Sequence, residues 1–145
     1  MRLVVQRVIR SQVRVGGSVV AEGGRGLLIL VGIGVDDAED AVTKLAGKVW
    51  HLRIFEDEEG KMNRSIEDVG GDIVVVPQFT LYGDTSAGRR PSWIRAAPPE
   101  VAGPKVERFA AALASLGATV RTGAFREHME VELVNDGPVT LILEA

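Results

Sequence analysis

The strongest constraint in this sequence is a run in its middle, Gly71 to Asp84, which reads GDIVVVPQFTLYGD. Ile73 to Val76 is an uninterrupted β-branched apolar stretch, too short for a helix and preceded by Gly70 and Gly71. Such a run predicts a strand covered on both faces, and so a sheet with layers above and below it. Pro77 follows at once. A proline has no N–H to give to a ladder, so it marks an edge, a bulge or the point where pairing stops. If the backbone stays extended, the two-residue period places Gln78 and Thr80 on one face and Phe79 on the other. The strand then ends in a carboxamide, a hydroxyl and the unpaired amides of Phe79 and Thr80, a set able to hold a developing oxyanion. The competing reading is a bulged edge strand whose Gln78 and Thr80 merely meet water.

The totals remove several chemistries. At 145 residues the chain is expected to be one domain, residues 1–145, that needs no covalent staple. Zero cysteines exclude disulfides, thiol catalysis and thiolate metal sites. The two histidines, His51 and His128, share no ligand spacing, so no metal or cofactor is expected. The opening MRLVVQRVIR sets arginines inside an apolar stretch, unlike a signal peptide. No apolar run reaches the roughly 18 residues of a membrane span, and the expected location is the cytoplasm. A formal charge of −3 argues against a general nucleic-acid coat and restricts any RNA contact to a local patch.

Along the chain, Leu3 to Val15, the turn Gly16-Gly17 and Ser18 to Glu22 predict a hairpin, and Gly26 to Val35 a second buried strand. Asp36 or Asp37 is the expected cap of a helix through about Arg53, with Val42, Leu45, Ala46, Val49 and Leu52 on its apolar face. Leu52 to Phe55 reads as a short strand and Glu56 to Gly60 as a charged turn. Thr85 to Pro99, with Arg89, Arg90, Trp93 and Arg95, reads as an ordered surface loop. Those side chains suit either a phosphate and base contact or the rim of a subunit interface. Pro99 opens a second helix ending at Leu116 before Gly117, and Ala118 to Thr122 returns as a strand. Met129 to Val134 and Val139 to Leu143 read as two strands joined by a tight turn, Asn135-Asp136-Gly137-Pro138. With two helices and about seven strands, helices cover one face of the sheet, and the other needs a second sheet or another subunit.

Two motifs, PQFTL at 77–81 and NDGPVT at 135–140, resemble the signatures of D-aminoacyl-tRNA deacylases. Gln6-Arg7-Val8, LRIFED at 52–57, GKMN at 60–63, RPSW at 90–93, Gly123, Phe125 and Met129 extend the resemblance over the whole chain. It implies an α/β fold of three layers, mostly antiparallel sheets with two helices, barrel-like when dimerised. It implies a homodimer in which each Gly-Pro turn, with a cis Gly137-Pro138 bond, enters the partner's site. The implied reaction is hydrolysis of the ester joining a D-amino acid, or glycine, to the 3′-terminal adenosine of tRNA, with L-aminoacyl esters rejected. Carried onto this chain, Gln78, Phe79 and Thr80 line the ester pocket, and Gly137 and Pro138 bind the α-amino group and exclude an L side chain. Arg7 fixes the Gly-Pro turn, while Phe125 and Met129 receive adenine. Two departures stand out. The family usually has serine where this chain has Pro77, and small residues where it has Arg126-Glu127-His128.

Neither motif contains a cysteine, a histidine or a carboxylate pair with a clear role, so no acid/base dyad is nominated. Thr80 has no visible base, and an unactivated hydroxyl is a poor nucleophile at neutral pH. The expected mechanism is hydrolysis driven by binding, with the ribose 2′-hydroxyl assisting water. Two alternatives remain: an esterase with a threonine nucleophile acting on small esters, and a non-catalytic dimeric tRNA-binding module.

Overall fold

The computed structural model describes residues 1–145. In chain order its elements are β1 (Arg2–Val15), β2 (Ser18–Gly23), β3 (Gly26–Gly32), α1 (Ala41–Trp50), β4 (Phe55–Glu56) and β5 (Met62–Arg64). There follow α2 (Ile66–Val69), β6 (Asp72–Pro77), a 3-10 turn (Phe79–Tyr82), α3 (Pro99–Ser115), β7 (Thr119–Thr122) and β8 (Glu130–Glu144). One sheet in the order β2-β1-β3-β6-β7, with β8 along the other side of β1, carries the fold; β4 and β5 form a separate small hairpin.

The centre is where the β-branched runs lie side by side. β6 pairs in parallel with β3 and β7, while β1 is antiparallel to β2, β3 and β8. Side-chain alternation then divides the core in two. Leu3, Val5, Leu27, Ile29, Ile73 and Val75 face α1 and α3, which supply Leu45, Val49, Phe109 and Leu113. Val8, Leu28, Val74 and Val76 point the other way and meet Val13 and Ala21, with Met129 and Leu133 packed beside them. Because β1 has 14 residues, its first half feeds the sheet centre and its second half curls over the far face with β2 and β8. Helices, sheet centre and curled strands make three layers, and β2 reaches β6 and β7 to leave the sheet nearly closed. Outside that curl Ile9 and Ile142 remain exposed.

Several elements depart from the sequence expectation, each for a local reason. Met129 to Val134 and Val139 to Leu143 are not two strands of a hairpin. They are the two ends of the single strand β8, both antiparallel to β1, with Arg14 opposite Glu130 and Arg2 opposite Glu144. The residues expected to turn form a bulge instead, where the register shifts between Gln6 and Arg10. Helix α1 starts at Ala41 with Asp40 at its N-cap and no side-chain cap bond, and it ends at Trp50. Asp37 is occupied elsewhere, as described below. The strand expected over Leu52 to Phe55 shrinks to Phe55–Glu56. A third helix, α2, is a single turn closed by a capping box between Ser65 and Asp68.

Candidate active site

Pro77 ends β6 without loss of a hydrogen bond. Along a parallel strand, successive residues address alternate neighbours. Val75 faces β7, accepting from the Gly123 N–H at 2.8 Å, and Gln78 faces β3, donating to the Val31 carbonyl at 2.7 Å. Position 77 faces the β7 side, where pairing with β6 stops at Val75 opposite Thr122. A proline fits because no acceptor waits for its N–H.

Beyond Gln78 the backbone does not stay extended. It closes a 3-10 turn whose first bond runs from the Leu81 N–H to the Gln78 carbonyl at 3.2 Å. The expected alternation of faces at residues 78 to 80 is therefore replaced. The amides of Phe79 and Thr80 lie ahead of that first bond and are the donors that a helical turn leaves without an internal partner. The Gln78 carboxamide still reaches Thr80, donating to its hydroxyl oxygen. The Phe79 ring is 55% exposed and meets Trp93 edge to face, with centroids 5.2 Å apart.

The turn is held from behind by groups that the motif itself does not contain. Tyr82 packs against Gly34 so closely that a Cβ there would lie 2.8 Å from its ring. Its hydroxyl donates to Asp37 Oδ1 at 3.1 Å, and Asp37 Oδ2 accepts from the Gly34 N–H at 2.7 Å. The N-terminal ammonium of Met1 is ion-paired with the same carboxylate. Burial, followed by the negative charge of Asp37, pushes the Tyr82 hydroxyl up to about 12. Arg2 donates to the Leu81 carbonyl at 2.6 Å and lies 5.2 Å from the centre of the Tyr82 ring.

The second motif is built around a buried guanidinium. Arg7 is only 4% exposed and lies on the same face of β1 as the core residues Leu3 and Val5. It donates to the Ile54 carbonyl at 2.6 Å and to the Asp136 carbonyl at 3.3 Å, with the Asp136 carboxylate 3.2 Å away. Asn135 spans the bulge, donating to the carbonyls of Arg7 at 2.9 Å and Val139 at 3.0 Å. The Gly137-Pro138 peptide is cis, and both residues are exposed. Gly137 has φ +117, and a Cβ there would come within 2.8 Å of Arg7 Nη2 and 2.9 Å of Val139 Cγ2.

A cleft of about 650 Å³ opens beside the first motif, bordered by Gln78, Phe79, Trp93, Phe125 and Met129. The structure thus brings four of the eight sequence-nominated residues to one cavity, with Thr80 next in the turn. Gly137, Pro138 and Arg7 do not border it. Arg7 is level with Leu27 and Ile73, about five residues back along β6 from Gln78, which is roughly 16 Å at about 3.3 Å per residue. Arg126, Glu127 and His128, where the sequence departs from the family beside Phe125 and Met129, also border the cleft, so one histidine does lie near the first motif's site. The turn that carries them has Arg126 at φ 66. Asn135 was findable, because an Asn two residues ahead of a glycine often bonds backbone groups directly. The Asp37–Tyr82 contact had no local signal.

A family model described as D-Tyr-tRNA(Tyr) deacylase matches residues 4–144. The chain belongs to that family. It is 56% identical over 144 residues to a D-aminoacyl-tRNA deacylase of Heliobacterium modesticaldum, covering 99% of this chain and 96% of that one. It is 57% identical over 145 residues to a D-aminoacyl-tRNA deacylase of a Roseiflexus species, covering 100% and 94%. Among solved structures, the c-Myc DNA unwinding element binding protein superposes with a TM-score of 0.94 at 37% identity, covering 100% and 99%. A probable eukaryotic D-amino acid tRNA deacylase superposes at 0.83 over 98% and 97% of the two chains. At 19% identity that second likeness concerns the fold alone.

Proposed function

We propose that this chain hydrolyses D-aminoacyl-tRNA, releasing the D-amino acid and tRNA, and that it also accepts glycyl-tRNA. The observation that carries the reading is the pair of amides at Phe79 and Thr80, left without ladder partners beside a mostly apolar cleft. In that role the amides hold the oxygen that becomes negative when water adds to the ester carbonyl. The neighbouring 2′-hydroxyl assists the water as it adds, and the proton the water gives up goes to the ribose oxygen as the carbonyl re-forms and that oxygen leaves. Gln78 orients the Thr80 hydroxyl, which has no general base bonded to it. The protein contributes positioning, which supplies on the order of 7 to 11 kcal/mol in favourable cases.

The distance between the motifs within one chain supports a homodimer. In this reading Gly137 and Pro138 of a second copy complete the cleft, where their carbonyls take the α-amino group and their bulk excludes an L side chain. Arg7 keeps that turn in place, and Phe125 with Met129 receives the terminal adenine. No helix of the chain is long and apolar enough to cross a membrane, and the reading places the protein in the cytoplasm with its substrate.

The deciding experiment is hydrolysis of D-tyrosyl-, L-tyrosyl- and glycyl-tRNA side by side, with sedimentation of the protein at assay concentration. Turnover of the D and glycyl esters by a dimer, with the L ester spared, is expected. Cleavage of the L ester at a comparable rate would remove the chiral assignment of Gly137 and Pro138. A fully active monomer would remove the shared site.

A further inference from the structure

The loop from Thr85 to Arg95 carries arginines that the reaction leaves unused. Its sequence TSAGRRPSWIR holds three arginines and no carboxylate, in a chain whose net charge is −3. Every residue in it is exposed. Arg2, Arg10, Arg14 and Arg121 each sit on a carboxylate, whereas Arg89 and Arg90 sit on none. The loop is nevertheless anchored. Asp84 and Ser92 exchange two backbone hydrogen bonds of 2.9 and 2.8 Å, so the tip with Arg89 and Arg90 projects from a closed base. Trp93 ties that base to the cleft through its contact with Phe79, and it packs so tightly on Gly83 that a Cβ there would lie 2.6 Å from the indole.

We propose that Arg89 and Arg90 hold the phosphate backbone of the single-stranded 3′ end of the tRNA as it leaves the cleft. The inference rests on the deacylase reading and adds to it the surface that retains the RNA. An ester held at the Phe79 and Thr80 amides has its amino acid and last nucleoside inside the cleft. The chain of nucleotides behind it must pass the rim, and on this rim Trp93 leads directly to two unpaired guanidiniums. Guanidinium forks match phosphate oxygens in geometry, and the contact releases counterions.

The test compares the parent with Arg89→Ala/Arg90→Ala on two substrates, D-tyrosyl-tRNA and the D-tyrosyl ester of adenosine alone, across a salt series. The variant is expected to show a raised KM for the tRNA ester with unchanged hydrolysis of the adenosine ester. Its log–log salt dependence should be shallower by about 1.4, at about 0.7 for each phosphate of a single strand. An unchanged KM for the tRNA ester, or an equal loss on both substrates, overturns the proposal. Dissociation of a dimer in the variant would also overturn it, assigning the loop to the subunit interface. If the parent cleaves neither ester, the deacylase reading fails. Filter binding of uncharged tRNA to parent and variant then decides this proposal on its own: weaker binding by the variant supports it, and equal binding ends it.

Discussion

The two motif peptides interrupt strands in opposite ways. At 77–82 a central parallel strand runs out of partners, and the chain folds into a 3-10 turn that leaves amides free. At 135–139 an outer antiparallel strand keeps its partner on both sides and bulges between them. The first is held from outside the motif, with the Tyr82 ring seated on Gly34 and the Arg2 side chain bonded to a main-chain carbonyl. The second is stabilised by side chains, Arg7 below and Asn135 across. A strand end can shed a hydrogen bond into solvent at little cost. A bulge in mid-strand cannot, so it needs long polar side chains to answer the carbonyls it displaces. The turn should therefore tolerate loss of the motif's own side chains better than the bulge tolerates loss of Arg7.

The sharpest test of that contrast is Arg7→Ala. It removes a nearly buried cation from two carbonyls and from Asp136, and leaves those acceptors facing a cavity. A loss of about 3 kcal/mol in urea denaturation is expected, together with deacylation. A loss below about 1 kcal/mol would mean that Asn135 alone holds the bulge. Gly137→Ala comes next. Its φ of +117 disfavours any L residue, and the added Cβ meets Arg7 and Val139. About 2 kcal/mol of destabilisation is expected. Discrimination between D and L esters should fall further than turnover of the D ester does. Equal losses in both would place Gly137 in the fold and outside the chiral filter.

The same contrast explains what could be read from the sequence. The buried strand at 73–76, the apolar face of α1 through Val42, Leu45, Ala46 and Val49, and the break at Pro77 follow from local pattern and are present, whereas Leu52, expected on that face, lies past the helix end. Asn-Asp-Gly-Pro satisfies a tight turn as well as a bulge, so local pattern alone predicts a hairpin there. The choice between them is made by β1, whose 14 residues offer a partner to both halves of β8. Capping is a local rule, and it offers Asp36 or Asp37 as the cap of the first helix. In the structure Asp37 answers Gly34, Tyr82 and the N-terminal ammonium, three groups that only the tertiary fold assembles. The cleft's third side, Arg126 to His128, is legible in the sequence as a departure beside Phe125 and Met129, and only the tertiary fold brings it to Gln78 and Phe79.

On the turn itself, Tyr82→Phe should cost about 1 kcal/mol near neutral pH, the worth of one hydrogen bond to a charged partner at a half-buried site. Its pH dependence gives a second reading. Folding raises the Tyr82 pKa from the ordinary 10.0 to about 12, so the folded state holds the proton that the unfolded chain releases first. Stability from this group is complete below about pH 10 and is lost as pH rises toward 12. Denaturation midpoints of parent and Phe variant should thus converge over that window. Parallel curves would mean that neither burial nor Asp37 holds the proton on this hydroxyl in the folded state.

The smallest effect is expected at the most conspicuous side chain. Thr80 is exposed, its hydroxyl accepts from Gln78, and no base is bonded to it. If the turn works through its amides, Thr80→Ala leaves the backbone donors in place and removes only a contact that orients Gln78. Stability should change by less than about 0.5 kcal/mol. Hydrolysis of the D ester should stay within about tenfold of the parent, corresponding to roughly 1.4 kcal/mol in the barrier. A nucleophilic threonine predicts the opposite. The alanine variant would then be inactive with its fold intact, and the parent would carry an acyl adduct on residue 80 visible by intact-protein mass spectrometry. The contrast between turn and bulge therefore predicts that the hydroxyl can be removed where the guanidinium of Arg7 cannot.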